Sequence, residues 1–385
     1  MNLFAIKMLI GDRAKYLGIL MGLTFAAFII TQQTAIFVGI MTRTYGFITD
    51  TSQPNIWVMD QKVQFVDDIK PLKDTDLYRV KSISDVEWAV PLYKGLLRAR
   101  LSNGTFQTCN VIGIDDATLI GGPPIMIEGK VTHLRWPDAI IVNQVGAGDK
   151  LSGPPVAPDG PRIPLAVGDV LELNDNRAEV VGICDVTRTF QSQPVLYMTY
   201  NRAVTVAPQE RKLLSFILAK SKPGISPKKA CEKIQAITGL AAYTRDEFKN
   251  LTMKYYLKYT GIPINFGVAV GLGFIIGCAI AGQTFYNFTL DNLKYLGTLK
   301  AMGASNLVLI RMILLQALTV GSIGWGIGVG GAALFGYVFR NTELAFKLPW
   351  ELLLLSGVAM LFICMLAAFL SLYKVVKLDP AIVFK

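Results

Sequence analysis

Residues 262–305, IPINFGVAVGLGFIIGCAIAGQTFYNFTLDNLKYLGTLKAMGAS, join a long uncharged run to a short polar one, and this junction decides how the chain is organised. The run 262–288 has no charged residue and exceeds the roughly 20 apolar residues needed to cross a bilayer, so it reads as a transmembrane helix. Beyond it the character changes at once. Asp291, Lys294 and Lys300 alternate with Leu290, Leu293, Leu296 and Leu299. Leucine every third residue makes a slowly winding apolar stripe on a short amphipathic helix. Such a helix lies at the membrane surface, either as a plain connector between spans or as an element that presses against a partner.

Outward from this junction, the other uncharged runs are 17–41, 312–339 and 352–373, giving four spans in all. Hydrophobic residues make up 52% of the chain and charged ones 17%, with the apolar residues gathered at the two ends. The expected fold is an α-helical membrane protein with four transmembrane helices and a large mixed α/β extracytoplasmic domain inserted between helices 1 and 2. The expected order is an interfacial helix over 1–16, a span over 17–41, and the outer α/β domain with its stalk helices over 42–261. It continues with a span over 262–288, a segment with the short helix over 289–311, a span over 312–339, a short outer loop over 340–351, a span over 352–373 and a tail over 374–385.

Charge placement orients the spans. Lys7, Arg13, Lys15, Lys294, Lys300, Arg311, Lys374, Lys377 and Lys385 flank them on one side, against only Asp12, Asp291 and Asp379. The segment 340–351 is balanced, with Arg340 and Lys347 against Glu343 and Glu351. The positive-inside rule therefore makes both termini and the short helix cytoplasmic and the large domain external. Most of the formal charge of +10 is topology, and no basic run points to nucleic acid.

Within the outer domain, 55–59, 86–90, 96–101, 109–114, 139–142, 170–173, 178–183 and 195–199 read as strands, bounded by Gly, Pro, Asn and Asp. Helices are expected over 73–82 and 226–238, and a loop over the Gly- and Pro-rich 146–164. A further helix over 245–259 runs on into the second span, with Pro263 placed to bend it. Cys109, Cys184 and Cys231 lie outside the spans, an odd number without tight spacing, and read as buried free thiols, with a Cys109 to Cys184 bridge left open.

Catalytic and cofactor chemistry finds little footing. A Walker A loop needs G-x-x-x-x-G-K-[ST] so that backbone N–H groups cradle phosphates. The nearest fragment, Gly129-Lys130, is followed by Val131 and has Pro124 where the first glycine belongs. With His133 as its single histidine, the chain has no multi-histidine zinc site. Asp67-Asp68 and Asp115-Asp116 could serve a membrane-anchored enzyme, but adjacent carboxylates without His or Cys beside them are ordinarily solvated turns. A transmembrane sensor is the other rival, and it would need a cytoplasmic output domain. Gly267, Gly271, Gly273 and Gly277 give small-xxx-small spacing suited either to packing within one bundle or to dimerisation.

Four segments carry a family resemblance: MGLTFAAFIITQQ (21–33), VGDVLELNDNRAEVVGICDV (167–186), IPINFGVAVGLGFIIG with TLKAMGAS (262–277 and 298–305), and the closing KVVKLDPAIVF (374–384). They resemble the permease subunits of the FtsX and MacB group of ABC transporters, the type VII or mechanotransmission class, and most closely DevC-type exporter permeases. The resemblance implies a non-catalytic subunit of the bacterial inner membrane. Its partners would be a second copy of itself, two separate ABC ATPase subunits that hold ATP and magnesium, a periplasmic adaptor, an outer-membrane duct and membrane lipid. The short helix would be the coupling helix, with Leu293, Lys294, Leu296, Lys300, Met302 and Gly303 at the ATPase contact. Tyr295 stands where the family commonly has an acidic residue. The implied work is ATP-driven conformational change across the membrane, exporting a lipid, glycolipid or other amphiphile. The alternative is lipoprotein release or regulation of a wall hydrolase.

Overall fold

A computed structural model describes residues 2–154, 160, 162–208, 214–340 and 342–376. The end of the KVVKLDPAIVF segment, most of the tail 374–385 and part of the loop 146–164 lie outside the described residues. Along the chain come α1 (Asn2–Gly11), α2 (Arg13–Asp50), β1 (Ile56–Met59), α3 (Asp74–Lys81), β2 (Val86–Arg100), β3 (Phe106–Ile114) and β4 (Ile125–Glu128). Then follow β5 (Ala139–Asn143), α4 (Gln144–Gly148), β6 (Val170–Leu173), β7 (Asn176–Asp185), β8 (Val195–Thr199), α5 (Tyr200–Val206), β9 (Phe216–Ser221), α6 (Pro227–Thr238) and β10 (Ala241–Thr244). The rest is helical: α7 (Arg245–Tyr259), α8 (Ile262–Asp291), α9 (Leu293–Ala301), α10 (Asn306–Val338) and α11 (Trp350–Val376). The contacts divide into a helical unit, 1–40 with 261–385, and a mixed unit, 41–260.

In the helical unit, α2, α8, α10 and α11 are each long and apolar enough to cross a membrane. Their shared core includes Leu23, Ala27, Ala281, Phe285, Met312, Ile313, Ala317, Ile363 and Ala367. Glycine sets how closely the helices approach. A Cβ at Gly328 of α10 would lie 2.6 Å from the Ala27 Cβ and 2.7 Å from the Thr24 carbonyl oxygen of α2. Such packing of backbone on small residues substitutes for hydrophobic driving force inside lipid. The N-terminal helix α1 packs one side into this core, with Ala5 and Leu9 at 0% and 1% exposure.

The mixed unit is built on one strand used twice. Residues Val86 to Leu92 of β2 pair with β9, from Val86↔Ser221 to Leu92↔Phe216, and Tyr93 to Arg100 pair with β3. The first half belongs to a lobe with strand order β10-β1-β9-β2, all antiparallel, in which α3 joins β1 to β2 and α6 joins β9 to β10. This is a split βαβ arrangement. Alternation then sorts the side chains: Ile56, Val58, Ile217 and Ala219 pack against α3 and α6, while Trp57, Met59, Phe216 and Leu218 fill the core on the opposite face.

The described elements between β2 and β9 form a second lobe. From β2 the strands run β3, β8, β5, β7 and β6, and β6 returns to β2 through Ala99↔Leu173 and Arg100↔Glu172, closing a six-stranded barrel. Its interior holds Leu97, Cys109, Val111, Ile140, Val142, Leu171, Val180, Leu196 and Met198. The alternate residues Ile112, Ile114, Ile141, Val195 and Tyr197 leave the barrel and join the Trp57 core of the first lobe.

Two expectations change here. The strands expected over 86–90 and 96–101 are one, because Pro91, which lacks an N–H, still takes its place opposite Ile217. The helix 245–259 does not run into the second span: Thr260 is extended (φ −117°, ψ 154°) and separates α7 from α8. Pro263 sits in the first turn of α8 rather than at a bend, where a missing N–H costs no helical hydrogen bond.

Candidate functional site

The segment between α8 and α10 is held at both ends by backbone geometry. At its start, the Asn292 N–H reaches the Phe288 carbonyl at 3.2 Å and the Asn292 side-chain amide donates to the same oxygen at 2.8 Å. The Asn292 carbonyl in turn accepts from the Leu296 N–H at 3.0 Å. One residue therefore ends α8 and begins α9.

At the far end, the Gly303 N–H donates to Lys300 O and the Ala304 N–H to Leu299 O, each at 3.0 Å. These two bonds form a Schellman turn, which needs a left-handed residue after the helix. Gly303 supplies it with φ +95°. Ser305 then leads into α10 in an extended conformation.

Side-chain orientation divides the short helix in two. Leu296 is 1% exposed and Leu293 and Leu299 pack partly against the same helical core. The leucine stripe thus faces inward and anchors α9. Lys300 is half-buried, while Lys294 and Gly303 are exposed. Tyr295 and Met302 are 61% and 71% exposed, with Thr298 on their side of the helix and Leu307 beyond the turn at 70%. Of the residues expected at a partner contact, Lys294, Met302 and Gly303 stand outward and Leu296 does not. Tyr295, Thr298 and Leu307 were not among them. Their signal is the spacing 295, 298, 302, the face opposite a core-directed leucine stripe.

Behind this segment, the Lys15 ammonium at the start of α2 bonds the carboxylate of Asp291, the last residue of α8, and that of Asp12 at 2.9 Å. The Lys15 hydrogen bonds hold the Asp12 carboxyl below its ordinary range.

The α8 glycines separate by helical phase. A Cβ at Gly273 would lie 2.8 Å from Ile29 Cγ2, and one at Gly277 2.6 Å from Ala26 Cβ, so both serve the contact with α2. A Cβ at Gly267 or Gly271 would meet no atom within 4 Å. They share an uncovered apolar face with Ile264, Val268, Leu272 and Ile275, all more than half exposed.

The carboxylate pairs are occupied structurally. Asp115 accepts from the Thr118 N–H at 2.8 Å and its hydroxyl at 2.7 Å, and Asp116 accepts from the Asn201 N–H at 3.2 Å. Asp67 pairs with Lys94, and Asp68 accepts from the Gln64 N–H at 3.1 Å and pairs with Lys70 at 2.7 Å. Cys109 and Cys184 are buried free thiols. The first lies inside the barrel and the second in the Trp57 core, which puts a bridge out of reach.

Comparisons with known proteins cover most of the chain. The FtsX-like permease C-terminal family model matches residues 267–380, and the MacB-like periplasmic core domain model matches 17–237. A protein of Staphylococcus haemolyticus, provisionally named hemin transport system permease protein HrtB, is 28% identical over 149 residues, 39% of this chain and 41% of its own length. The chain thus matches well under two thirds of that relative. The extracellular domain of the ABC-type transporter YknZ from Gram-positive bacteria superposes with a TM-score of 0.33 at 14% identity, over 50% of this chain and 98% of that one. The periplasmic region of MacB from Actinobacillus actinomycetemcomitans gives 0.36 at 14%, over 53% and 94%.

Proposed function

Because the chain belongs to the FtsX-like, MacB-like family of ABC transporter permeases, we propose that it is the membrane subunit of an exporter that turns ATP hydrolysis on a separate ATPase into movement of its outer domain. Two copies work with two ATPase subunits in the inner membrane, both termini lie in the cytoplasm, and the mixed unit is periplasmic. ATP and magnesium belong to the partner, and this chain contributes no catalytic residue. Its cargo is a lipid, glycolipid or other amphiphile, passed to an adaptor and an outer-membrane duct in a DevC-like assembly.

The observation that carries this reading is the two-faced geometry of α9. A helix of nine residues, pinned inward by Leu296 and ended by a Schellman turn, presents Lys294, Tyr295, Thr298 and Met302 on a firm base. An element anchored in this way transmits a push from a docked partner instead of absorbing it. The charge and apolar surface on its outward face suit a groove lined by acidic and apolar groups. Gly267 and Gly271, on the uncovered face of α8, are where we place the second copy.

Co-reconstitution with the ATPase tests it. Met302→Asp places a charge in a desolvated groove and is expected to lower permease-stimulated ATP hydrolysis about tenfold, the effect of losing one interface anchor. Membrane insertion and thermal stability should stay unchanged. Tyr78→Asp, on an exposed position of α3, should alter nothing. Normal coupling by Met302→Asp would reduce α9 to a connector.

A further inference from the structure

A cavity of about 420 Å³ opens in the mixed unit, within the size range of small-ligand sites. Its polar floor is Lys94 and Asn110, each 4% exposed. Lys94 forms an ion pair with Asp67, which takes one of its N–H donors, and its Nζ stands 5.7 Å from the Phe47 ring. Asn110 projects from β3 on the side of Ile112 and Ile114, and its Oδ1 is buried with no hydrogen-bond partner. A second, narrower cleft shares Asp67, Lys94 and Asn110.

Aromatic rings supply part of the wall, and Thr189, Gln191 and Gln193 add polar groups to the rest of the lining. Phe190 and Phe65 flank Tyr256, with ring centroids 5.1 Å and 5.6 Å away. The row continues along α7, Phe65 stacking on Tyr255 at 4.2 Å and Tyr255 meeting Tyr259 at 5.2 Å.

Each feature restricts the ligand. Lys94 and Asp67 neutralise each other, so a charged headgroup would enter without a counter-ion and lose its hydration. The orphaned Asn110 oxygen asks for a donor, and the remaining Lys94 N–H groups ask for an acceptor. A hydroxyl is both. The ring-lined wall suits an apolar ring or chain laid against it.

We propose that this cavity binds an uncharged amphiphile bearing a hydroxyl, with the hydroxyl between Lys94 and Asn110 and the apolar body against Phe65, Phe190 and Tyr256. In naming a class of cargo this rests on the permease reading, whereas the binding itself needs no ATPase and is measured without one. A failure here therefore leaves the coupling experiment untouched, and the converse holds.

The test uses the full chain in amphipol, titrated by calorimetry with three probes that share one ring: phenyl β-D-glucoside, phenyl phosphate and phenyltrimethylammonium. The glucoside is expected to bind at least about tenfold more tightly than either ion, and Asn110→Leu to weaken it about tenfold, the worth of one buried hydrogen bond. Phe190→Ala, at a half-buried wall position, should weaken it without unfolding the domain. The proposal is overturned if the glucoside does not bind or if either ion binds as tightly. It is also overturned if the glucoside affinity survives Asn110→Leu, or survives Phe190→Ala should the Asn110 variant fail to fold.

Discussion

Gln316, in the middle of the α10 helix, donates its side-chain amide to the backbone carbonyl of Ala5 at 2.8 Å, and both groups are shut away from water. The N-terminal helix is therefore fastened to a transmembrane helix by a polar contact in an apolar core, in addition to the burial of Ala5 and Leu9. Gln316→Leu keeps the volume and removes the donor. It should loosen α1 by about 1 kcal/mol, the net worth of a typical protein hydrogen bond. Faster hydrogen exchange confined to α1 is the expected result, and unchanged exchange would mean that burial alone holds the helix.

Helix contact in the membrane gives a paired prediction. Gly328→Ala inserts a methyl group where Ala27 and Thr24 already stand within 2.7 Å. Overpacking of this kind costs about 1–3 kcal/mol, so the melting temperature in detergent should fall. Gly326→Ala, two residues earlier, meets no atom within 4 Å and should leave melting unchanged or raise it slightly through helix propensity.

The turn after α9 depends on a backbone conformation, not on a side chain. Gly303→Val forces a β-branched residue to φ +95°, at a cost of about 1–2 kcal/mol. The bond from the Ala304 N–H to Leu299 O should open more often, read as roughly tenfold faster exchange of that amide. ATPase stimulation should fall with it.

Burial pushes the thiols of Cys109 and Cys184 up to about 12, with Asp185 adding to the effect at Cys184. The thiolate is the reactive form. Raising the pH from 7 to 9 would populate it in an ordinary thiol, of pKa about 8.5, but leaves these two protonated in the folded protein. Mass spectrometry after iodoacetamide should find both unmodified at either pH and both modified once the protein is unfolded.

At the centre of the mixed unit, the Phe248 ring lies 5.5 Å from that of Trp57 and 5.9 Å from that of Phe216, fully buried. Phe248→Ala should destabilise this unit by about 3–5 kcal/mol. A lower denaturation midpoint with red-shifted tryptophan emission would report it.

The four long helices and most strands were legible because lipid and sheet each impose a strong periodic demand on side chains. Part of what escaped depended on distant neighbours, whereas β9, with its apolar FILA run, carried a local signal. The 241–244 strand, AAYT, is too short to show a pattern of its own and is held by pairing with Ile56 to Met59 of β1. Barrel closure rests on Leu173 meeting Ala99, a pairing that no local pattern announces. For α9, the leucine stripe revealed a two-sided helix but not which side was turned inward. The glycines of α8 were equally ambiguous: identical spacing reads the same for the pair against α2 and the pair in the open, and only the position of α2 distinguishes them.

The return of the chain beside itself at Leu92 and Phe216 makes the barrel a graft. The Ser215 N–H already donates to Leu92 O at 3.1 Å, a hairpin bond spanning more than a hundred residues of insertion. A short turn there could excise the whole barrel and leave every strand of the split βαβ lobe paired. Thermodynamically the cut is not free, since Trp57, Leu92, Phe216 and Leu218 would lose the cover provided by Ile112, Ile141 and Tyr197. The mixed unit is therefore separable in topology and indivisible in stability. An exchange of barrels between homologues would succeed only if the roof carried by the incoming barrel fitted the Trp57 floor left behind.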